Sequence, residues 1–341
     1  MSDIIFIRCD SNTHVSTGHV MRCLSIALEI ISLGYLIEFI VADEVSEEFL
    51  LSKIGDNKRM SITVTNTSYD KLEDEIEVIS GLIRDRRPMA ILIDTYYVTS
   101  RYLDEINELC KVYYIDDLVA FDYPVYSVIN YNISIEKKAY NYAKKLLLGG
   151  NYTPLRKQFS EVDFVVRKEV KDILITTGGT DYYHITKNII NQGNSIFGTN
   201  INLHIIVGNW NEDREEIKSL AADNSRINLY ENVSDMADIM AKCDIAITAC
   251  GTTLCELCAV GIPTIAFSIA DNQKPQANSF NDEGVIDYIG DIRSETDFYR
   301  KLERSLSDMI SNYNVRENYS ARMKATIDGL GSNRIASEIT S

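Results

Sequence analysis

The chain has no excess of positive charge and no basic run: 34 Lys and Arg stand against 50 Asp and Glu, a formal net charge of −16. Nucleic acid and anionic membrane surfaces are excluded as expected partners, while a local cationic pocket for one phosphorylated ligand stays open. No stretch approaches the roughly 20 apolar residues that a membrane span requires. The first ten residues, MSDIIFIRCD, lack a basic n-region and a cleavage site, so the protein is expected to be cytoplasmic. Histidine is scarce, with four residues in no H-E-x-x-H or comparable spacing, and no metal is expected. Seven cysteines are an odd number without a secretory signal, which favours reduced thiols. Cys255 and Cys258 form a C-x-x-C inside an apolar helical stretch with no second pair, the pattern of buried thiols and not of zinc. Internal repeats and low-complexity segments are missing too.

What is present is enough apolar material, 45% of 341 residues, for two packed cores. Short β-branched runs alternate with helical segments. In the first half the expected strands are 4–7, 37–41, 62–64, 90–93, 112–115, 128–129 and 146–148. In the second they are 173–176, 202–207, 227–230, 245–248 and 264–267. Such alternation implies parallel sheets with helices on both faces. The polar, irregular stretch between Gly150 and about Val170 marks a boundary, giving domains 1–157 and 158–341. The expected fold is α/β, two Rossmann-type domains with parallel sheets facing a central cleft. Ligands of such sheets bind beyond the carboxyl ends of strands, so chemistry is sought in the loops that follow them.

The first of these loops leads into RCDSNTHVSTGHVMR, Arg8 to Arg22. It places His19 in the first turn of a helix expected from about Gly18 to Leu33, with Val20, Leu24, Ala27, Ile30 and Ile31 at helical spacing and Gly34 as the stop. Free N–H groups and the positive end of the macrodipole favour an anion at such a helix start. A neutral histidine there can act as a base, and position alone equally allows it to decorate the helix. Arg22 lies three positions along the same face.

In the second half, DILITTGGTD ends a strand at Thr176 or Thr177. Gly178 and Gly179 then let backbone N–H groups approach a ligand, before a helix expected near Tyr183. The stretch AITACGTTLCELCAVGIPTIAF is more specific. Gly251, Thr252 and Thr253 can cradle phosphates at a helix start, and Glu256, one turn on among apolar neighbours, can accept two ribose hydroxyl hydrogens. Asn272 and Gln273 follow the next strand, where side-chain amides can bond phosphate or sugar oxygens. Asp94 and Tyr96 in DTYYV, and Asp116 and Asp117 in YYIDD, stand at strand ends of the first half. Tyr96 can orient a sugar; the acidic pairs can equally form turns.

Taken together, these pieces resemble the UDP-sugar hydrolase of pseudaminic acid biosynthesis and related spore-coat polysaccharide proteins. The matching residues are Arg8, Asp10, Gly18, His19 and Arg22; Asp94 and Tyr96; Asp116 and Asp117; LLGGNYTPLRKQF from Leu147 to Phe159; TGGTD; the G-T-T-x-x-E ending at Glu256; and Asn272 with Gln273. The resemblance implies a GT-B architecture, with UDP bound mainly by the second half and the sugar presented to the first. It implies hydrolysis of UDP-2,4-diacetamido-2,4,6-trideoxy-β-L-altropyranose to UDP and free sugar in nonulosonic acid biosynthesis, without metal or cofactor. His19 would be the general base; Arg22, Tyr96, Asn272 and Gln273 would meet the substrate; Gly178, Gly179, Gly251, Thr252, Thr253 and Glu256 would hold UDP. Two positions depart from the family pattern: Ser16 stands where glycine is common, and Thr95 where histidine is common. A GT-B glycosyltransferase using the same UDP site, or a nucleotide-sugar binding protein without catalysis, are the alternatives.

Overall fold

In the computed structural model, which describes residues 3–197, 200–208 and 210–341, the first half builds a seven-stranded, wholly parallel sheet. Its strands are β1 (Ile4–Cys9), β2 (Leu36–Val41), β3 (Met60–Val64), β4 (Ala90–Asp94), β5 (Lys111–Ile115), β6 (Ser127–Asn130) and β7 (Lys145–Leu148). They lie in the order β3-β2-β1-β4-β5-β6-β7. Side chains alternate across β1, and both sets are buried. Ile5, Ile7 and Cys9 pack with the helix Gly18–Ser32, while Phe6 joins the core formed with helices Ile76–Arg86 and Ser100–Leu109. Burial on both faces is why these strands read as continuous apolar runs.

The second half builds a six-stranded parallel sheet from β8 (Asp172–Thr176), β9 (Asn202–Ile206), β10 (Ile227–Tyr230), β11 (Ile245–Ala249), β12 (Thr264–Ser268) and β13 (Asp287–Asp291), in the order β10-β9-β8-β11-β12-β13. All twelve strands expected from the sequence are present. The thirteenth, β13, is DYIGD, an edge strand with acidic ends and a glycine at φ +110°, and it meets β12 through a register shift between Ala266 and Ser268. Asp287, Gly290 and Asp291, of types depleted in strands, outnumber Tyr288 and Ile289 and mask it in the sequence. The helix expected near Tyr183 begins later, at Ile185, because Asp181 caps it: both carboxylate oxygens accept backbone N–H bonds, from Ile185 at 3.0 Å and Thr186 at 2.9 Å.

The chain separates into two compact units, 1–157 with 330–341, and 158–329. The first unit is left after residue 157 and rejoined at residue 330. The last twelve residues, however, were expected in the second unit and belong to the first. The helix Gly331–Ile339 buries Ile335, Ala336 and Ile339 in the core that the helix Gly18–Ser32 shares. Polar contacts pin it there: Tyr113 Oη donates to Glu338 O at 2.8 Å and Ser332 Oγ to Leu155 O at 2.8 Å. A three-residue apolar face on a short helix says that it must be buried, not on which sheet.

Each sheet has one topological switch point, where the strand order reverses: β1 beside β4 in the first, β8 beside β11 in the second. Crevices beyond the carboxyl ends at such points are where open α/β sheets bind ligands.

Candidate active site

At the first switch point Cys9, the last residue of β1, lies in register with Asp94, the last residue of β4. The chain then crosses the loop 10–17 into the helix that carries His19. That loop is anchored by its own polar groups: Asp10 accepts the Ala42 N–H at 2.7 Å, Ser46 Oγ the Ser11 N–H at 3.1 Å, and Asn12 Oδ1 the N–H groups of His14 and Val15. Ser16 is not among the residues with positive φ, so it sits in the loop without backbone strain. Thr95 is buried, and its Oγ1 accepts the Tyr97 N–H at 3.4 Å, so it stabilises the turn after β4.

His19 is 5% exposed, and its Nδ1 meets Asp94 Oδ1 at 2.7 Å. Asp94 is itself buried and clasped side-on by Arg22, whose Nε donates to Oδ2 at 2.6 Å and Nη2 to Oδ1 at 2.5 Å. Burial pushes the Asp94 carboxyl up, but Arg22 and then His19 outweigh it and hold it at about 2. An ionised carboxylate only accepts, so the ring nitrogen facing it carries the proton. The 3.2 Å approach of Arg22 Nη2 to Nδ1 is therefore a contact between two donors bridged by Asp94. In neutral His19 the lone pair falls on Nε2, to which no described residue hydrogen-bonds. This is the arrangement of a general base oriented by a carboxylate.

Arg22 has no guanidinium nitrogen left over. Its Nη1 donates to Asp117 Oδ2 at 2.8 Å and to the Tyr131 hydroxyl, completing the set begun by Asp94. Read from the sequence as a substrate or phosphate contact, Arg22 is occupied in orienting Asp94. Tyr96 donates to the same Asp117 oxygen at 2.9 Å and sets its ring edge-on to His19, centroids 4.7 Å apart. Burial and the Asp117 charge push its phenol up to about 12, so at neutral pH it remains a donor. Tyr96 is 46% exposed, and Asp117 is exposed as well.

The two acidic residues of YYIDD part company. Asp117 belongs to the His19 group; Asp116 is buried and accepts from the N–H groups of Leu118 and Val119 and the hydroxyls of Tyr123 and Tyr140, which makes it the turn former. Arg8 and Asp10 are also structural. Alternation puts Arg8 on the opposite face of β1, where it donates to Glu75 at 2.8 Å and Asp10 at 2.5 Å in full burial. Sequence reading named His19, Arg22 and Tyr96 but missed the orienting role of Asp94 and the participation of Asp117 and Tyr131. The signal for Asp94 was its place at the end of an apolar strand, but its pairing with β1 lies in strand order, which local pattern does not carry.

At the second switch point, Gly178 adopts φ +90°, and a Cβ added there would meet nothing within 4 Å, so the turn after β8 is open on that side. After β11, Gly251 precedes the helix Thr252–Val260. The Gly251 N–H already donates to Ala249 O at 2.8 Å, so the N–H groups of Thr252 and Thr253, which open the helix, form the available cradle. Glu256 lies one turn further on, half-buried, between Cys255 and Leu257, which are buried. Asn272 and Gln273 fall in the 3-10 turn Asp271–Gln273 after β12. Asn272 is exposed, whereas Gln273 turns its carbonyl back to accept the Ile269 N–H at 2.9 Å and so shapes the loop. All seven cysteines are free and buried, Cys255 and Cys258 included, and among the described residues no His, Cys, Asp and Glu group is arranged to hold a metal ion. No described helix is long and apolar enough to cross a membrane.

Residues 173–335 match the family model of the glycosyltransferase family 28 C-terminal domain. An uncharacterized protein of Methanocaldococcus jannaschii, MJ1062, is 27% identical over 281 residues, 76% of this chain and 54% of that protein. The spore coat polysaccharide biosynthesis protein SpsG of Bacillus subtilis is 24% identical over 182 residues, 52% of each chain. The Helicobacter pylori pseudaminic acid cytidylyltransferase and UDP-2,4-diacetamido-2,4,6-trideoxy-beta-L-altropyranose hydrolase is 27% identical over 160 residues, 46% of this chain and 29% of that protein. The chain thus spans about half of the first two relatives and under a third of the other. Among solved structures, MurG of Acinetobacter baumannii superposes with a TM-score of 0.69 at 14% identity, covering 99% of both chains. The fold is therefore GT-B-like, built of two Rossmann-type units with parallel sheets.

Proposed function

We propose that the protein hydrolyses a UDP-linked 2,4-diacetamido-2,4,6-trideoxyhexose to UDP and the free sugar, the altropyranose derivative being the substrate to test first. The observation that carries this reading is the His19–Asp94–Arg22 relay, which fixes the imidazole and leaves Nε2 to take a proton. Water gives that proton to Nε2 as its oxygen bonds to the anomeric carbon. The bond from that carbon to the diphosphate oxygen breaks, and UDP departs with the electron pair. In this reading the N–H groups after β8 and at Thr252 and Thr253 hold the diphosphate, and Glu256 the ribose. Tyr96, a phenol that stays protonated beside His19, orients the sugar or the water. The similarity to the Helicobacter pylori protein and to SpsG supports a place in nonulosonic or related polysaccharide synthesis.

A second reading, transfer of the sugar to an acceptor other than water, is favoured by the match to a glycosyltransferase family model. Incubation of the purified protein with the UDP-altropyranose derivative, without added metal, separates the two. UDP release in buffer alone supports hydrolysis; release only on addition of an acceptor supports transfer. His19→Ala is expected to abolish release while calorimetry still registers UDP binding, and unchanged turnover in that variant would sink the mechanism.

A further inference from the structure

The chain has a single tryptophan, Trp210, and it is 78% exposed. Large aromatic side chains are mostly covered in folded proteins, so an open indole invites the question of what covers it. Its mount is rigid. The Trp210 N–H donates to Gly179 O at 3.1 Å, and the next residue, Asn211, is buried, donates its N–H to Gly208 O at 3.2 Å and accepts the Asp213 N–H at 2.9 Å. The junction is too close for any side chain at position 208, where a Cβ would lie 2.4 Å from the carbonyl oxygens of both Gly178 and Gly179. Gly208 and Trp210 thus lie against the glycine turn after β8, and the indole stands beside that turn, its Cδ1 3.8 Å from where a Cβ on Gly179 would lie.

Resting on the nucleotide-sugar reading above, we propose that Trp210 is the platform on which the nucleobase stacks when a nucleoside diphosphate lies with its phosphates over Gly178 and Gly179. A planar base has an apolar face of the indole's own size and gains from stacking whatever its hydrogen-bonding edge. The diphosphate offers the indole nothing comparable. Removing the platform therefore weakens nucleotide binding, and phenylalanine, which keeps a π-face, restores most of it.

Because no other tryptophan is present, indole emission reports on this position alone. The test titrates the full chain with UDP and with inorganic pyrophosphate, following emission and heat in parallel, and repeats the calorimetry with Trp210→Ala and Trp210→Phe. The expected result is saturable quenching by UDP at the calorimetric Kd, about ten-fold weaker UDP binding in Trp210→Ala, and near-normal binding in Trp210→Phe. UDP binding with unchanged emission and an unchanged Kd in Trp210→Ala overturns the platform and leaves the nucleotide reading standing. Quenching by pyrophosphate equal to that by UDP overturns the assignment to the base. Absence of UDP binding to the wild type overturns the nucleotide reading and the platform with it.

Discussion

Asp94 accepts the Nδ1 proton of His19 at 2.7 Å while Arg22 holds both of its oxygens, so the imidazole is fixed by a carboxylate that is itself fixed. Replacing Asp94 by asparagine keeps the shape but admits the other tautomer, because an amide can donate to Nδ1 and move the proton to Nε2. In comparable carboxylate–histidine pairs that change costs up to about 10⁴ in kcat. Asp94→Asn is expected to lower kcat for UDP release by about 10² to 10⁴ with little change in UDP affinity. A kcat within two-fold of wild type would show that the pair does not orient a base.

The same carboxylate makes stability acid-sensitive. Its folded value of about 2 lies below an unfolded value near 3.9. A depressed folded pKa contributes stability fully present above the unfolded value and lost as pH falls toward the folded one. For a buried group shifted by this much the contribution is ~2 kcal/mol, lost between about pH 5 and pH 2. Urea unfolding followed by near-UV circular dichroism should show wild type losing this increment over that window and Asp94→Asn lacking it. Parallel pH curves for the two proteins would contradict the assignment.

Glu256 is proposed to hold the ribose in ground state and transition state alike. Glu256→Ala is therefore expected to raise KM about ten-fold or more and to leave kcat within a few-fold. A fall in kcat at unchanged KM would place Glu256 in the chemical step.

Ile335 is fully buried on the helix Gly331–Ile339, inside the core of the first unit. Ile335→Ala is expected to cost 2 to 5 kcal/mol, the usual range for such a truncation. The unit that fails first should be the first, not the second to which residue 335 is joined in sequence. Limited proteolysis, read by which fragment survives, checks this: survival of 158–329 with loss of 3–157 is the expected pattern.

Strand positions were largely legible because strands covered on both faces announce themselves as apolar runs, and β13 escaped because an edge strand does not have to. His19 was legible as a residue type at a helix start. The identity of its partner was not, since Asp94 is 75 positions away and reaches His19 only because β4 crosses to lie beside β1. Arg22 was assigned outward to substrate for want of that knowledge; with two carboxylates beside it, its charge is satisfied within the protein. Asp116 and Asp117 look alike in sequence and differ only in which side of a turn each occupies.

The return of residues 330–341 to the first unit makes 158–329 an insertion between two parts of one core. During synthesis the apolar face of the helix Gly18–Ser32 that Ile335 and Ile339 cover is made some 300 residues before its cover. Throughout synthesis of the second unit the first lacks the helix that completes its core, so its earlier part stands without that cover, open to water or to a chaperone.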